Sequence, residues 1–311
     1  MNVQLPMCLL NWISKEQIIL KYLSLNTSEY AIQLLNKNPD KIDWWCLSLN
    51  PSEGAMQLLE KNQDKINWTR LSANPSKCAI QLLEKNQDKI NWNCLSCNES
   101  EGAMQLLEKN QDKISWHRLS SNTSEYAMQL LEKNQDKINW DNLSENPSKG
   151  AMQLLEKNPD KINWNNLSAN SSKSAIKLLE NNPNKIDWDM LSWNNSYWAV
   201  QLLEKNSDNI SDWVGLCYNP SEGAMQLLEK HPDKIVWDCL FRNPSEGAMQ
   251  LLEKNQEKIN WDYLSQNPHI FKYDYQNMKL NCLLFKKDLM KNRYHPHNIP
   301  KFKDWGVNGF E

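Results

Sequence analysis

The amino-acid sequence predicts an all-α protein, a right-handed solenoid of α- and 3₁₀-helices with about ten 24-residue repeats and helical caps. Three observations carry this prediction. Tryptophan recurs at a fixed interval, each interval holds two helix-start signals, and each holds one apolar stripe at helical spacing. The repeats are assigned to residues 23–268, an N-terminal cap to 1–22, and a C-terminal helical cap with a basic tail to 269–311.

Tryptophan marks the repeat. It recurs every 24 residues at positions 44, 68, 92, 116, 140, 164 and 188 and, after one inserted residue, at 213, 237 and 261. A unit of this length cannot bury its own apolar face, so neighbouring units must stack to form a continuous core. With helix layers about 9–10 Å apart, ten layers would form a rod or superhelix roughly 90–100 Å long.

The longer helix of each repeat begins after the Asn-Pro-Ser segment. In the copy that ends at Trp68, Ser52 is placed as the N-cap, and Glu53 lies in the first turn, where the helix dipole favours a negative charge. Residues 55–59 then supply Ala, Met and a Leu-Leu pair at helical spacing. Asn62, followed by Gln here and by Pro in other copies, is expected to end the helix.

The residue before each repeat tryptophan predicts a second helix start. It is Asp, Asn or Ser in every copy except that of Val236, and these three residues are preferred N-caps. The segment that follows, Trp-x-x-Leu-Ser-x-Asn, is only about one and a half turns long, so we expect a short 3₁₀ or α segment. The tryptophan itself is interpreted as part of the core between layers, with a stacking platform for bases or sugars as the alternative.

The pattern L-S-x-N-P-x-x-x-A-x-x-L-L, repeated at 24 residues, is similar to leucine-rich variant repeats. That resemblance covers about 23–268 and implies a superhelix with one α-helix and one 3₁₀-helix per repeat, although the tryptophan in every copy departs from the family. The phrases NPDKIDW, LSLNPSEGAMQLLEKN and KNRYHPHNIPKFKDWG resemble repeat proteins encoded by giant DNA viruses of protists. This second resemblance implies an origin and a fold, and it carries no active site to transfer.

The two ends depart from the repeat. Residues 18–22 include Ile18, Ile19, Leu20 and Tyr22 and are expected to form a capping helix. A second amphipathic cap helix is expected at about 274–292, where apolar residues recur at helical spacing: Tyr275, Met278, Cys282, Phe285 and Leu289. Residues 271–311 carry eight Lys or Arg against four Asp or Glu. This basic tail is a candidate docking element, and a cap with solvated lysines would explain the same residues.

Composition and motifs argue against an enzyme and against a cofactor. Cys94-x-x-Cys97 has no second pair or nearby histidine to complete a zinc site, and His295-Pro-His297 is an isolated pair. We find no nucleophile–base constellation and no glycine-rich phosphate loop. The net charge of −3 is close to neutral, and no apolar run approaches the roughly 18 residues of a membrane span. The N-terminus has no basic segment or cleavage site, so we expect a cytoplasmic protein, or, if it is viral, one of the host cytoplasm or the virion.

The positions that vary between copies are the candidate binding positions. They are the two positions after the repeat tryptophan, the position after Leu-Ser and the pair after Pro-Ser. Aromatic residues and arginine, which dominate binding hot spots, occur there in several copies. The candidate partner-binding residues are Trp45, Arg118, Trp193, Tyr197, Trp198 and Tyr218.

One repeat, between Trp188 and Trp213, has extra aromatic residues and an insertion near Ser211. Two interpretations stay open: a specialised site, or rings that fill a local gap. In five repeats the second residue of the pair after Pro-Ser is glycine, and bulky residues at that position in other copies suggest that it lies near the surface (Gly54, Gly102, Gly150, Gly223 and Gly247).

These features favour a non-enzymatic protein–protein interaction scaffold, acting as a monomer on a host or viral protein. The alternatives are a structural component of a virion or capsid and a modular nucleic-acid-binding repeat protein. Nucleic acid is disfavoured because the chain outside the basic tail carries a net charge of −7, whereas phosphate contacts need Lys or Arg on one face.

Overall fold

The structure, a computed structural model, describes residues 19–270, 275, 276, 278–280 and 283. These residues form helices and connecting turns, with no strand among them. The long helices are α1 Glu29–Asn36, α3 Glu53–Lys61, α5 Lys77–Lys85, α7 Glu101–Lys109, α9 Glu125–Lys133, α11 Lys149–Lys157, α13 Lys173–Glu180, α15 Tyr197–Lys205, α17 Glu222–Lys230 and α19 Glu246–Lys254. The short helices are α2 Trp44–Leu47, α4 Trp68–Ser72, α6 Trp92–Ser96, α8 Trp116–Ser120, α10 Trp140–Glu145, α12 Trp164–Ala169, α14 Trp188–Trp193, α16 Val214–Tyr218, α18 Trp237–Leu240 and α20 Trp261–Leu264.

A 3₁₀ turn follows each long helix, and the sequence did not predict it as a helical element. These turns are Pro39–Lys41, Gln63–Lys65, Gln87–Lys89, Gln111–Lys113, Gln135–Lys137, Pro159–Lys161, Pro183–Lys185, Ser207–Asn209, Pro232–Lys234 and Gln256–Lys258. Asn62 illustrates the cause. Its backbone leaves the helical region, and its side-chain amide donates to the Leu58 carbonyl at 2.8 Å, so the helix ends there and a tighter turn begins. Each repeat therefore has three helical elements.

Most predicted N-caps are present on both kinds of α-helix, but Ser115 makes no side-chain cap bond, and α16 begins one residue late, with Trp213 in place of Asp212 at its N-cap. Ser52 Oγ accepts a hydrogen bond from the backbone N–H of Ala55 at the start of α3. Asn67 Oδ1 accepts one from the N–H of Arg70 at the start of α4. Val236 cannot make such a bond, as its side chain has no acceptor. The short segment after the tryptophan is mainly α-helical.

The helices form two layers, because each long helix packs on the long helices of the adjacent repeats and the short helices from α4 to α18 pack on their short neighbours. The core between the layers is continuous from Ile32 to Leu264. Leucines from both layers fill it, and those of one repeat, Leu47 and Leu59, are fully buried. The all-α helical solenoid is therefore confirmed, while its right-handed sense stays a prediction.

The repeat tryptophans pack against this core without being enclosed by it. Most of them, such as Trp68, are half-buried and pack against the edge of the core. Trp261, in the last described repeat, is 66% exposed. Trp213 is the exception in the other direction, since only 6% of it is exposed. The leucines form the centre of the core, and the tryptophans form its margin.

A ladder of buried asparagines joins each repeat to the one before it. Asn146 is typical: its Nδ2 donates to the carbonyls of Ser120 at 3.0 Å and Asn122 at 2.9 Å, while its Oδ1 accepts from the N–H of Ser148 at 3.0 Å. The same asparagine of the Leu-Ser-x-Asn segment is buried throughout the described repeats: Asn50, Asn74, Asn98, Asn122, Asn146, Asn170, Asn194, Asn219, Asn243 and Asn267. Asn98 and Asn122 each begin an Asn-x-Ser sequence, and in both the asparagine belongs to this hydrogen-bonded turn.

The serine of the same segment makes a second link between repeats. Ser72 Oγ donates to the Trp68 carbonyl at 2.7 Å and accepts from the N–H of Asn91, in the next repeat, at 3.0 Å. Buried backbone groups in the turns need such partners, because an unpaired group costs about as much as a lost hydrogen bond. The asparagine and the serine thus fix how each repeat is set on its neighbour.

At the N-terminal end, the 3₁₀-helix Leu20–Leu25 occupies the place of a short helix beneath α2. Its Ser24 is buried and accepts from the N–H of Asp43 at 2.9 Å, as later serines do for their own neighbours. At the other end, residues 275, 276, 278–280 and 283 are helical, and Tyr275 and Met278 are exposed. Cys282, Phe285 and Leu289 lie outside the described residues, as do residues 1–18. Within the described part, no helix is both long and apolar enough to cross a membrane.

Candidate interaction surface

The short helices present the most variable positions of the repeat to solvent. The position after Leu-Ser is four residues beyond the first position after the tryptophan and three beyond the second, so all three positions lie on one face of each short helix. In α14 these residues are Asp189, Met190 and Trp193, and all three are exposed. Side chains at these three positions form a strip along the solenoid, here called the outer face of the short helices.

In the C-terminal half, this face carries four residues that contact one another in sequence. Trp193 stacks on Tyr218, with ring centroids 5.4 Å apart and 15° between the planes. The Tyr218 hydroxyl accepts a hydrogen bond from Arg242 Nη1 at 3.4 Å, and the Arg242 guanidinium lies 5.3 Å from the Tyr263 ring centroid. We call Trp193, Tyr218, Arg242 and Tyr263 the aromatic–arginine row. It spans four successive repeats, and Trp193 is 52% exposed.

In the irregular repeat, α16 lies close to α14 at Gly215. A Cβ on Gly215 would lie 1.9 Å from Ser192 Oγ, so only glycine allows this approach. The extra residue also lets Ser211 Oγ donate to the Asp189 carboxylate, at 2.9 Å from Oδ1. Trp213 turns inward and donates its indole N–H to the Ile210 carbonyl at 3.2 Å. The buried Trp213 occupies the interior of the irregular repeat, and the ring of Trp193 remains at the surface.

Tyr197 and Trp198 lie at the start of α15, in the layer of long helices. Their rings meet edge to face with centroids 5.2 Å apart, and the Lys173 ammonium lies 3.9 Å from the Trp198 ring centroid. Among the described residues, no ring contact joins this pair to the aromatic–arginine row. Tyr197 also borders a groove of about 340 Å³ between α15 and α17, whose floor includes Val200 and Gly223. The predicted site therefore divides into two separate surfaces.

Trp45 and Arg118 lie farther toward the N-terminus, each on its own part of the outer face. Trp45 is 51% exposed, and the Arg70 guanidinium stacks 3.6 Å from its ring centroid. Arg118 is exposed on α8. The structure brings neither residue into contact with Trp193 or Tyr218. The sequence did not identify Lys173 as a binding residue. Lysine also occurs at this helix-start position in other repeats, where the following repeat has no aromatic residue at the position of Trp198.

The glycines of the pair after Pro-Ser are half-buried at four of the five positions, in agreement with a place near the surface, and Gly54 is the exception. Gly54 is buried, and a Cβ there would lie 2.9 Å from Ile32 Cγ2 in the preceding long helix. At Gly150 the corresponding distance, to Met128 Cγ, is 2.5 Å. The position faces the neighbouring repeat, and a larger residue is accommodated when its side chain leans outward. Tyr126 does so, since its hydroxyl reaches Glu101 Oε2 at 3.2 Å.

The cysteines and histidines do not come together as ligands. Within the described part of the chain, no group of three or more His, Cys, Asp or Glu is arranged to hold a metal ion. Cys217 takes the place of the serine in the Leu-Ser-x-Asn segment, and burial raises the pKa of its thiol to about 11. Burial also raises the pKa of the Cys97 thiol. His295 and His297 lie outside the described residues.

Comparison with known proteins gives no match: no protein-family model, no curated protein and no solved structure matches this chain.

Proposed function

We propose that the chain is a non-enzymatic scaffold that binds a protein partner through the aromatic–arginine row. The observation that carries the proposal is the continuity of this row. Four residues from successive repeats contact one another along an exposed face, at positions that hold unrelated residues in the N-terminal repeats. Tryptophan, tyrosine and arginine are the residues most often found at the energetic centre of protein interfaces.

The separation of constant structural positions from variable surface positions within the repeat supports this proposal. The ladder asparagines and the core leucines recur in the described repeats, because each one bonds or packs against its neighbour. The residues of the outer face are not fixed by such packing or bonding, and they differ from copy to copy. A scaffold of fixed layers with a variable face is how other repeat proteins build extended binding surfaces.

The charges beside the row favour a protein over a nucleic acid. Asp238 is one turn before Arg242 on the same face, and Asp189 has the same relation to Trp193. Asp262 is adjacent to Tyr263. Carboxylates at these places would repel a phosphate backbone, which supplies most of the non-specific affinity for nucleic acid. We also propose that the chain is viral and that its partner is a host or viral protein. Only the sequence resemblance supports this part of the proposal.

Affinity capture with matched variants tests the proposal. The immobilised chain is incubated with nuclease-treated lysate from cells in which it occurs, and a captured protein is then purified and its Kd measured directly. The row variant carries Trp193→Ala and Tyr218→Ala. The matched control is Trp45→Ala, which removes an equally exposed ring on the same face, several repeats away.

We expect a partner that binds the wild type and the Trp45→Ala control equally, and binds the row variant at least tenfold more weakly. Equal binding by all three proteins would refute the assignment of the row. Retention that disappears with nuclease treatment would favour the nucleic-acid alternative. Circular dichroism of each variant checks that helicity is retained, as expected because Trp193 and Trp45 are exposed and Tyr218 is only half-buried.

A further inference from the structure

We infer that the groove between α5 and α7 is a second binding site, which receives a tryptophan side chain of a protein partner. The groove lies in the layer of long helices, with the core between it and the short helices that carry the aromatic–arginine row. A site there is separate from the proposed function and does not depend on it. The groove has a volume of about 460 Å³, within the roughly 300–1,000 Å³ typical of ligand clefts.

Glycine keeps this groove open. Ile80 of α5 and Gly102 of α7 both line it, and glycine has no side chain to extend over the neighbouring helix. At the equivalent position of α9 the residue is Tyr126, and the groove between α7 and α9, which Tyr126 lines, has a volume of only about 220 Å³. A groove of about 340 Å³ recurs between α15 and α17, where the equivalent residue is Gly223. The groove is thus larger in these two glycine repeats than in the tyrosine repeat.

The chain's own aromatic residues show what such a groove can hold. Tyr126 extends from α9 toward the first residue of α7, where its hydroxyl donates to Glu101 Oε2 at 3.2 Å. Trp198 extends from α15 toward the first residue of α13, where the Lys173 ammonium lies 3.9 Å from its ring centroid. Each ring bridges two long helices, and it does so from the repeat position at which Gly102 has no side chain.

Lys77, the first residue of α5, indicates which ring this groove accepts. Lys173 holds the same position in α13 and has the Trp198 ring against it, whereas no ring lies over Lys77 among the described residues. An ammonium attracts the face of an aromatic ring, and tryptophan gives the strongest contact of this kind. The combination of a lysine here and a glycine 25 residues later occurs in this sequence only at Lys77 and Gly102.

The rest of the lining suits a tryptophan of a protein better than a nucleotide. Glu84 and Glu101 add two carboxylates, which would repel a phosphate group. Ile80 supplies apolar surface for the indole, and the amide oxygens of Gln81 and Gln105 are acceptors for its N–H. The groove therefore combines a cation for the ring face, an apolar contact and acceptors for the one donor of the ring.

Methyl NMR of the full chain, labelled at the isoleucine δ1 methyl groups, tests this site with N-acetyl-L-tryptophanamide as the probe. We expect a saturable change in the Ile80 methyl signal, because a bound indole shifts the resonance of a methyl group beside it. N-acetyl-L-leucinamide should bind more weakly, since it has no ring to offer Lys77. Lys77→Gln should lower the affinity for the tryptophan probe about two- to fivefold, the factor expected of one exposed cation–π contact.

Gly102→Trp fills the groove with an indole of the chain itself. It repeats at the start of α5 the contact of Trp198 with Lys173, and the Ile80 methyl should then no longer respond to the probe. The matched control Ala73→Trp adds the same ring at the end of α4, on the outer face, and should leave the response of Ile80 unchanged. Circular dichroism checks that both variants keep the helicity of the wild type.

Trp198→Gly makes the opposite change and keeps the test independent of whether Gly102→Trp folds. It leaves Ile176 of α13 with a lysine at the helix start and a glycine 25 residues after that lysine, as Ile80 has in α5. The Ile176 methyl, which we expect to be silent in the wild type, should therefore respond to the probe in this variant.

Several outcomes would overturn the inference: no change of the Ile80 signal up to the solubility limit of the probe, equal affinity of the tryptophan and leucine probes, an affinity unchanged by Lys77→Gln, a response that survives Gly102→Trp, or an Ile176 signal that stays silent in Trp198→Gly. Tighter binding of adenosine 5′-monophosphate in the same groove would assign it to a nucleotide and would also overturn the inference. None of these variants changes the aromatic–arginine row, so the proposed function is tested separately by the capture experiment.

Discussion

The asparagine ladder gives the sharpest test of how the repeats are held together, at Asn146 in the middle of the array. Only 2% of this residue is exposed. Its amide group donates to two carbonyls of the preceding repeat and accepts from the N–H of Ser148. Asn146→Ala removes all three bonds and leaves the backbone groups in an interior that water reaches poorly.

The expected cost follows from the number of bonds lost. A net contribution of about 0.5–1.5 kcal/mol for each hydrogen bond predicts a loss of about 2–4 kcal/mol in the free energy of unfolding. A loss of this size at one interface should also weaken cooperativity, because each repeat is stabilised only by its neighbours. The array should then open between the repeats on the two sides of Asn146 before it unfolds elsewhere.

Urea denaturation followed by circular dichroism measures this loss, and hydrogen exchange locates the opening. The matched control is Asn165→Ala, which removes an exposed asparagine of the outer face and should change stability by less than about 0.5 kcal/mol. If Asn146→Ala and Asn165→Ala have the same small effect, the ladder bonds do not couple the repeats. Exchange that rises uniformly along the chain would equally contradict the reasoning.

The remaining predictions concern single positions. Gly215→Ala, whose Cβ would overlap a hydroxyl of α14 at 1.9 Å, should cost about 1–3 kcal/mol in urea denaturation, against less than about 1 kcal/mol for Gly102→Ala, where the nearest atom lies at 3.2 Å. The pKa of Asp43 is lowered mainly by the backbone N–H that it caps, so its contribution to stability is present above the unfolded pKa of about 3.9 and is lost as pH falls. Asp43→Asn should keep the cap and remove that pH dependence, whereas Asp43→Ala should cost about 1 kcal/mol in thermal unfolding at pH 7. Because Cys217 is fully buried and its pKa is raised to about 11, iodoacetamide at pH 8 should alkylate the exposed Cys97 first and Cys217 only after unfolding, as followed by peptide mass spectrometry.

The local features of this protein were readable in its sequence. Ser52 as an N-cap, the apolar stripe of residues 55–59 and the end of the helix at Asn62 each depend on a few consecutive residues, and the structure has all of them. The repeat itself predicts a stack, since no single unit can bury its stripe. For the candidate surface, the varying positions identified Trp193 and Tyr218 as separate candidates, without indicating that their rings touch.

The tertiary structure decided everything that depends on how one repeat sits on the next. The partners of Asn146 lie 24 and 26 residues before it, and the Trp193–Tyr218 stack joins residues of two different repeats. Gly54, which suggested a surface position, faces Ile32 of its neighbour instead. Each of these contacts depends on the offset and rotation between adjacent layers. The periodicity of a sequence specifies which side chains recur, but the distance between recurring side chains is set only when the layers pack.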